Sequence, residues 1–327
     1  MKKRLLNKLS DLKLNRNLTP EILNQKLLVS HKTKKIISQL GIYILLIGIS
    51  YVFLYPLLQM ISMAFMSKQD LVNPEVDWIP TSFSFKNFGI AASVLDLGKS
   101  LFNSIWFSLL LAITQTFITA LAGFALARYN FKFKKFWFVM ILVSFILPVP
   151  VVIIPRIMMI ESIGDTLGTT LFGSFIPQLM FNLGGQGINS AILILIFYSF
   201  FKMIPASLDE AARMDGATSV EVFWHIFIKM SIPIITTVFL FSFVWNWNES
   251  HQTGIFIGDG LQLLPQQLST FDSNFGSRLP STSTEAKINE TYKMAATIIA
   301  ILPLFIIYLF AQKQFIEGIE NTGITGE

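Results

Sequence analysis

The sequence predicts an all-α integral membrane protein with six transmembrane helices, and three observations carry that prediction. Hydrophobic residues make up 53% of the 327 positions and charged residues 14%, with a mean hydropathy of +0.59. That is more apolar surface than one soluble core of this length can bury. The apolar residues gather into runs long enough to cross about 30 Å of hydrocarbon at about 1.5 Å of rise per helical residue. Basic residues flank alternate ends of those runs, the pattern that holds a segment on the cytoplasmic face. The formal charge of +5 comes from these flanks, so no nucleic-acid partner is expected. Cysteine is absent, which excludes a disulfide framework and thiolate metal sites.

Residues 1–35 form a basic N-terminal extension expected in the cytoplasm: Lys2, Lys3, Arg4, Lys8, Lys13, Arg16, Lys26, Lys32, Lys34 and Lys35 face only Asp11 and Glu21. Leu5, Leu9 and Leu12 recur at helical spacing, so this segment reads either as a basic amphipathic helix on an anionic membrane or as a solvated tail. Residues 36–327 form the six-span domain. The first span, about 40–63, carries the chain outside. The stretch to Lys99, with Pro74, Trp78 and Pro80, reads as an external loop. The second span, about 101–126, returns to a cytoplasmic segment marked by Arg128, Lys132, Lys134 and Lys135. The third, about 137–159, contains Pro148, Pro150 and Pro155, each deleting a backbone donor, so it is expected to kink. Arg156 near its outer end is expected to snorkel to the interface rather than line a pathway. From Thr169 to Lys202 the apolar run is too long for one span and is interrupted by Gly184, Gly185 and Gly187. It reads as a short helix, a break, and a fourth span from about Asn189. Asn182, Gln186 and Asn189 at that break either meet solute or accompany glycines that pack helices together.

A polar island, residues 207–233, follows. Ser207 with Glu210, and Thr218 with Glu221, fit the capping-box spacing at which hydroxyl and carboxylate satisfy each other's backbone donors. Gly216 sits where a left-handed C-terminal cap is required. The island is therefore predicted to be a helix-turn-helix outside the bilayer. Ala211 and Ala212 leave one side of its first helix bare, and Asp209, Glu210, Arg213 and Asp215 charge the rim. Such a surface suits close docking on another protein. The fifth span, about 234–247, is crowded with aromatic residues. Phe243 and Trp245 beside Asn246, Asn248 and Glu249 fit a carbohydrate path, in which rings stack on sugar C–H faces while amides and carboxylates bind hydroxyls; an interfacial aromatic belt explains the rings equally well. Residues 250–291 form the expected external loop, with Gly254 to Gly260 as a flexible finger. The sixth span is about 294–313. Both termini are then cytoplasmic.

Glu210-Ala211-Ala212, three residues, Gly216, nine residues and Ile226 resemble the EAA loop of binding-protein-dependent ABC importers. Trp78-Ile-Pro80, Asn103-Ser104, Ala125-Leu-Ala-Arg128, Trp247-Asn-Glu249, Leu264-Pro265, Met294-Ala-Ala296 and Gln314-Phe-Ile-Glu-Gly318 extend the resemblance, in order, to the maltose-type carbohydrate-uptake branch. Ile228-Lys229 stands where that family has Leu-Pro, and Thr325 where its tail carries Lys before the final Gly. The resemblance implies a type I ABC importer permease fold in a bacterial cytoplasmic membrane. It implies Asp209 to Arg213, Asp215 and Gly216 as the coupling surface, and four kinds of partner: a homologous second permease subunit, two ATP-binding subunits, an extracytoplasmic solute-binding protein and the lipid bilayer. ATP and Mg²⁺ are expected on the ATPase subunits, with no cofactor on this chain.

The missing chemistry agrees. No G-x-x-x-x-G-K-[ST] occurs, and His31, His225 and His251 lack metal-ligand spacing. No catalytic residue and no metal site is expected, and the protein is not read as an enzyme. A permease for another binding-protein-delivered solute is the nearest alternative. An ion-coupled carrier would place paired ionisable residues deep in its spans, whose centres here are almost free of charge.

Overall fold

The computed structural model describes residues 20–278 and 289–321, with side chains described over 35–71, 73–278 and 289–313. The expectations attached to Leu5, Leu9, Leu12 and Thr325 lie outside those residues. The chain divides into two compact units, Met1–Met60 and Ile61–Glu327. Most of the first helix, α1 (Pro20–Phe65), belongs to the first unit. Its apolar part, Lys35–Phe65, is 31 residues long, about 46 Å of helix, and contains the expected first span.

Every regular element of the second unit among the described residues is a helix. Short helices α2 (Lys68–Val72) and α3 (Lys86–Val94) lead into α4 (Leu97–Arg128), the element on which the others pack. Ser100, Ser104, Ser108, Ala112, Thr116 and Ala120 recur every fourth residue along α4, and all are buried. Such a stripe of small side chains lets neighbouring backbones approach closely, which in lipid replaces the hydrophobic drive for helix association. One turn further on, Gly123 meets α8 (Ser190–Met203) so closely that a Cβ would stand 2.6 Å from the Cβ of Phe197 and 2.9 Å from the amide nitrogen of Tyr198. Gly123→Val must therefore spread the two helices. We expect a loss of about 1–3 kcal/mol, typical of overpacking, read as a lower melting temperature of the detergent-solubilised protein; an unchanged transition would show that this crossing is not tight.

After α4 come α5 (Lys134–Ile146) and α6 (Val149–Leu167), which meet at 110°. The expected kink of the third span is thus a sharp bend at Leu147–Pro148. Leu147 is extended because Pro148 follows it, Pro150 sits in the first turn of the new helix where its missing N–H costs nothing, and only Pro155 lies inside a helix. Next are α7 (Ile176–Leu183), the break at 184–189, α8, α9 (Ala206–Met214) and α10 (Ser219–Val222), which runs into a π-helical segment, Phe223–Ile228. The α8 and α9 axes differ by 73°. The continuous helix Ser219–Ile228, α10 with its π-helical end, and α11 (Ile232–Asn248) differ by 86°. Three described helices are long and apolar enough to cross a membrane alone, or up to six spans if each bent pair is one span, by length and composition.

The expected external loop is largely helical: α12 (His251–Phe256), a 3-10 turn at Gly258–Gly260, α13 (Leu264–Ser269) and α14 (Phe271–Arg278). The predicted finger is docked, with the Gly173 N–H donating to the Phe256 carbonyl at 2.9 Å. Leu264, Phe271 and Phe275 join a core with Val94, Leu95 and residues Tyr292, Ala295 and Ala296 of α15 (Glu290–Asn321). Asp272 accepts from Lys293 and Asn289, each at 2.7 Å. The Lys293 hydrogen bond holds the Asp272 carboxyl below its usual range.

Candidate functional site

The predicted helix-turn-helix is present at Ala206–Val222, with its first N-cap two residues earlier than expected. Ile204 and Pro205 are extended, so α9 begins at Ala206 with Pro205 as its N-cap. Ser207 is then inside the first turn and makes no capping bond; the first capping box is not formed. The turn follows expectation. Gly216 has φ +87°, its N–H donates to the Arg213 carbonyl at 3.1 Å, and the Ala217 N–H donates to the Ala212 carbonyl at 2.9 Å. This is the paired closure of a Schellman motif, which needs a left-handed residue at that position. Thr218 and Glu221 form the second capping box: the Glu221 N–H donates to Thr218 Oγ1 at 3.3 Å and the Thr218 N–H to Glu221 Oε2 at 2.7 Å.

The two faces of α9 divide the predicted docking residues. Glu210, Ala211, Asp215 and Gly216 are exposed, while Ala212 packs against the interior with Phe223 and Phe227. Asp209 and Arg213 are paired at 2.7 Å, and Arg213 turns towards Tyr129, donating to its hydroxyl at 3.3 Å. Arg128 donates to the Ile204 carbonyl and lies 4.7 Å from the centre of the Phe227 ring. The C-terminus of α4 therefore grips both arms of the hairpin. Leu208, Met214 and Val220 are exposed on the hairpin, while Trp224, also exposed, stacks on Phe117 of α4 with ring centres 6.0 Å apart.

A second group lies inside the helix bundle. Gln115, fully buried on α4, donates to the Ile188 carbonyl at 2.6 Å and to Ser190 Oγ at 2.8 Å. Its Oε1 accepts from Ser242 at 2.5 Å and from Asn246 at 2.9 Å. All four hydrogen-bonding positions of one amide are used, joining α4, the 184–189 break and α11. The Asn246 amide donor is thereby spent on packing, and the residue also lines a space of about 10 Å³ with Arg156, Gln178 and Asn182. Phe243 faces the other way, into an apolar groove with Leu97, Leu101 and Ile299. Trp245 stacks on Phe241 with ring centres 5.5 Å apart. Asn248 donates to the Val244 carbonyl one turn back at 3.0 Å. The aromatic residues of α11 thus divide among faces instead of forming one sugar-stacking surface.

A cleft of about 130 Å³ opens beside Gln115, lined by Ser144, Arg156, Gln186, Asn189, Glu249 and Gln252 among others. Arg156 turns inward rather than snorkelling: it donates to Gln252 Oε1 at 2.9 Å and to the Gln186 carbonyl at 2.8 Å, and its guanidinium lies 4.8 Å from the Phe181 ring centre. Glu249 Oε1 accepts the Gln252 N–H at 2.6 Å. Asn189 has φ 55° and begins α8. Asn182 is buried behind the cleft. No group of three or more His, Cys, Asp or Glu able to hold a metal occurs among the described residues.

The family described as binding-protein-dependent transport system inner membrane component matches residues 119–321. The probable ABC transporter permease protein YurM of Bacillus subtilis (strain 168) is 29% identical over 297 residues, 90% of this chain and 91% of the relative. The polygalacturonan/rhamnogalacturonan transport system permease protein YtcP of the same organism is 26% identical over 282 residues, 85% of this chain and 94% of the relative. Among solved structures, a chain of a bacterial ABC transporter involved in the import of the acidic polysaccharide alginate superposes with a TM-score of 0.69 at 22% identity, covering 86% of this chain and 98% of that one. That likeness is one of fold.

Proposed function

This chain belongs to the family of binding-protein-dependent transport system inner membrane components, a permease subunit of an ABC importer and not an enzyme, and from that premise we propose that its solute is a carbohydrate. Membership implies in general a partner permease, ATPase subunits and a solute-binding protein. The finer proposal is a homologous second permease, two ATP-binding subunits that hold ATP and Mg²⁺, and a binding protein delivering an oligosaccharide or glycan fragment from outside. Both termini and the 206–222 hairpin then lie in the cytoplasm, residues 36–327 acting as the permease domain and 1–35 as its basic extension.

The observation that carries the coupling role is the hairpin itself: exposed Glu210, Ala211 and Gly216 on an element whose opposite face is gripped by Arg128 and Tyr129. A push on the outward face is passed to α4, and from α4 through Gln115 to the break at 184–189. The saccharide assignment is supported by the names of the relatives, among them YtcP and an AmyC permease for starch degradation products. Asn182, Asn189 and Glu249 are the predicted path residues nearest the cleft.

The test is uptake by proteoliposomes holding the assembled importer, with ATP inside and binding protein with labelled maltotriose, arabinotriose or trigalacturonate outside. We expect ATP-dependent accumulation of at least one saccharide, lowered about tenfold by Glu210→Lys, the equivalent of about 1.4 kcal/mol of lost docking. Accumulation driven by an ion gradient without ATP would contradict the reading.

A further inference from the structure

We propose that the cleft between Arg156 and Glu249 binds the hydroxyl groups of a neutral saccharide, so that this subunit itself contacts the solute. The proposal rests on the carbohydrate reading above and adds the site and the charge class. Three departures from regular helix open onto this one cleft: the α5–α6 bend at Leu147, the break at 184–189, and the end of α11 at Glu249. Irregular backbone between apolar helices is stable only where it is buried in protein or faces a water-filled cavity. The polar lining here identifies a cavity of the second kind.

The unused hydrogen-bonding capacity fixes the chemistry. Arg156 spends two of its five N–H groups, on Gln252 and Gln186, and three remain. Glu249 spends one oxygen on the Gln252 N–H, leaving its second. Behind them Gln178 Oε1 and Asn182 Oδ1 are buried without a partner, and a space of about 10 Å³ between Arg156, Gln178 and Asn182 is enough for a single water or hydroxyl. The cleft lining thus offers both donors, on Arg156, and acceptors, on Glu249, and a hydroxyl, which is both at once, matches that pair. The cation and the carboxylate line the same cleft, so an added carboxylate gains from Arg156 what it loses to Glu249. A neutral sugar incurs no such conflict.

The sequence contains no cysteine, so Ser144→Cys gives this chain a single thiol, placed in the cleft, whose labelling is read on this subunit of the assembled importer. In proteoliposomes its labelling by a membrane-impermeant methanethiosulfonate is expected to slow at least fivefold in the presence of maltotriose or arabinotriose and to be unaffected by trigalacturonate. Glu249→Gln keeps the bond to the Gln252 N–H and removes only the charge and one acceptor. It is expected to raise the KM for uptake of the protecting saccharide about tenfold. Protection by trigalacturonate alone overturns the neutral class. Uptake of a neutral saccharide with unprotected Cys and an unchanged KM overturns the cleft but leaves the transport reading standing. Absence of ATP-dependent uptake of all three saccharides overturns the reading on which the proposal rests.

Discussion

Gln115→Leu is expected to be among the most damaging single substitutions in the second unit, lowering stability by about 2–5 kcal/mol. The amide makes four interior hydrogen bonds, to Ile188, Ser190, Ser242 and Asn246, and leucine removes all four. Individual hydrogen bonds between membrane helices are worth about 0.6–1.7 kcal/mol, and a buried polar group left unpaired costs about 1–3 kcal/mol. The estimate stays below the sum of four because Asn246 retains its bonds to Ser242. Removing both sides of an interaction costs less than removing one. The triple variant Gln115→Leu, Ser242→Ala, Asn246→Leu should therefore recover part of the lost thermal stability of the purified protein. Equal stability of Gln115→Leu and the unaltered protein would show that the amide does not clasp these elements.

Gly216→Val is expected to leave membrane yield intact and to reduce co-purification of ATPase subunits more than tenfold. A Cβ at Gly216 meets nothing within 4 Å, so no collision inside the chain opposes it. The cost to the chain is the left-handed backbone, about 1–2 kcal/mol for an L-residue and more for a β-branched one. Gly216→Asn, which tolerates that conformation, should keep the turn and lose less than about threefold in association. Full association of the valine variant would remove this turn from the proposed docking surface.

Legibility in the sequence varied with how local the governing interaction is. Thr218, Glu221 and Gly216 were readable because a cap is settled within six residues of chain. Ser207 and Glu210 share the same spacing, yet Pro205 starts the helix earlier and leaves the serine inside it. The break before Asn189 was marked by three glycines. By contrast, Gln115 is a single polar letter in an apolar run, and its role depends on α11 and on the 184–189 break, which are distant in sequence. The same holds for Arg156, whose interior partners, Gln186 and Gln252, lie 30 and 96 residues away. The stripe from Ser100 to Ala120 was a signal present in the letters: six small residues at a spacing of four. The division of Phe243, Trp245 and Asn246 among three faces follows from helical rotation of about 100° per residue, which adjacency in sequence conceals. The π-helical turn at Phe223–Ile228 begins where the second hairpin helix ends and closes on Ile228, the first residue of the family's Leu-Pro position, where this chain has Lys229 in place of proline.

The central claim is that the hairpin is the lever through which an ATPase drives this permease, and Ala211, exposed on α9, is the place to test it. With Ala211→Cys as the only cysteine in this chain, an impermeant maleimide should react in inside-out vesicles and not in intact cells, and a short bifunctional cross-linker should join the residue to an ATPase subunit in the assembled complex. Reaction from the cell exterior, or an assembled complex that never cross-links there, would contradict the claim.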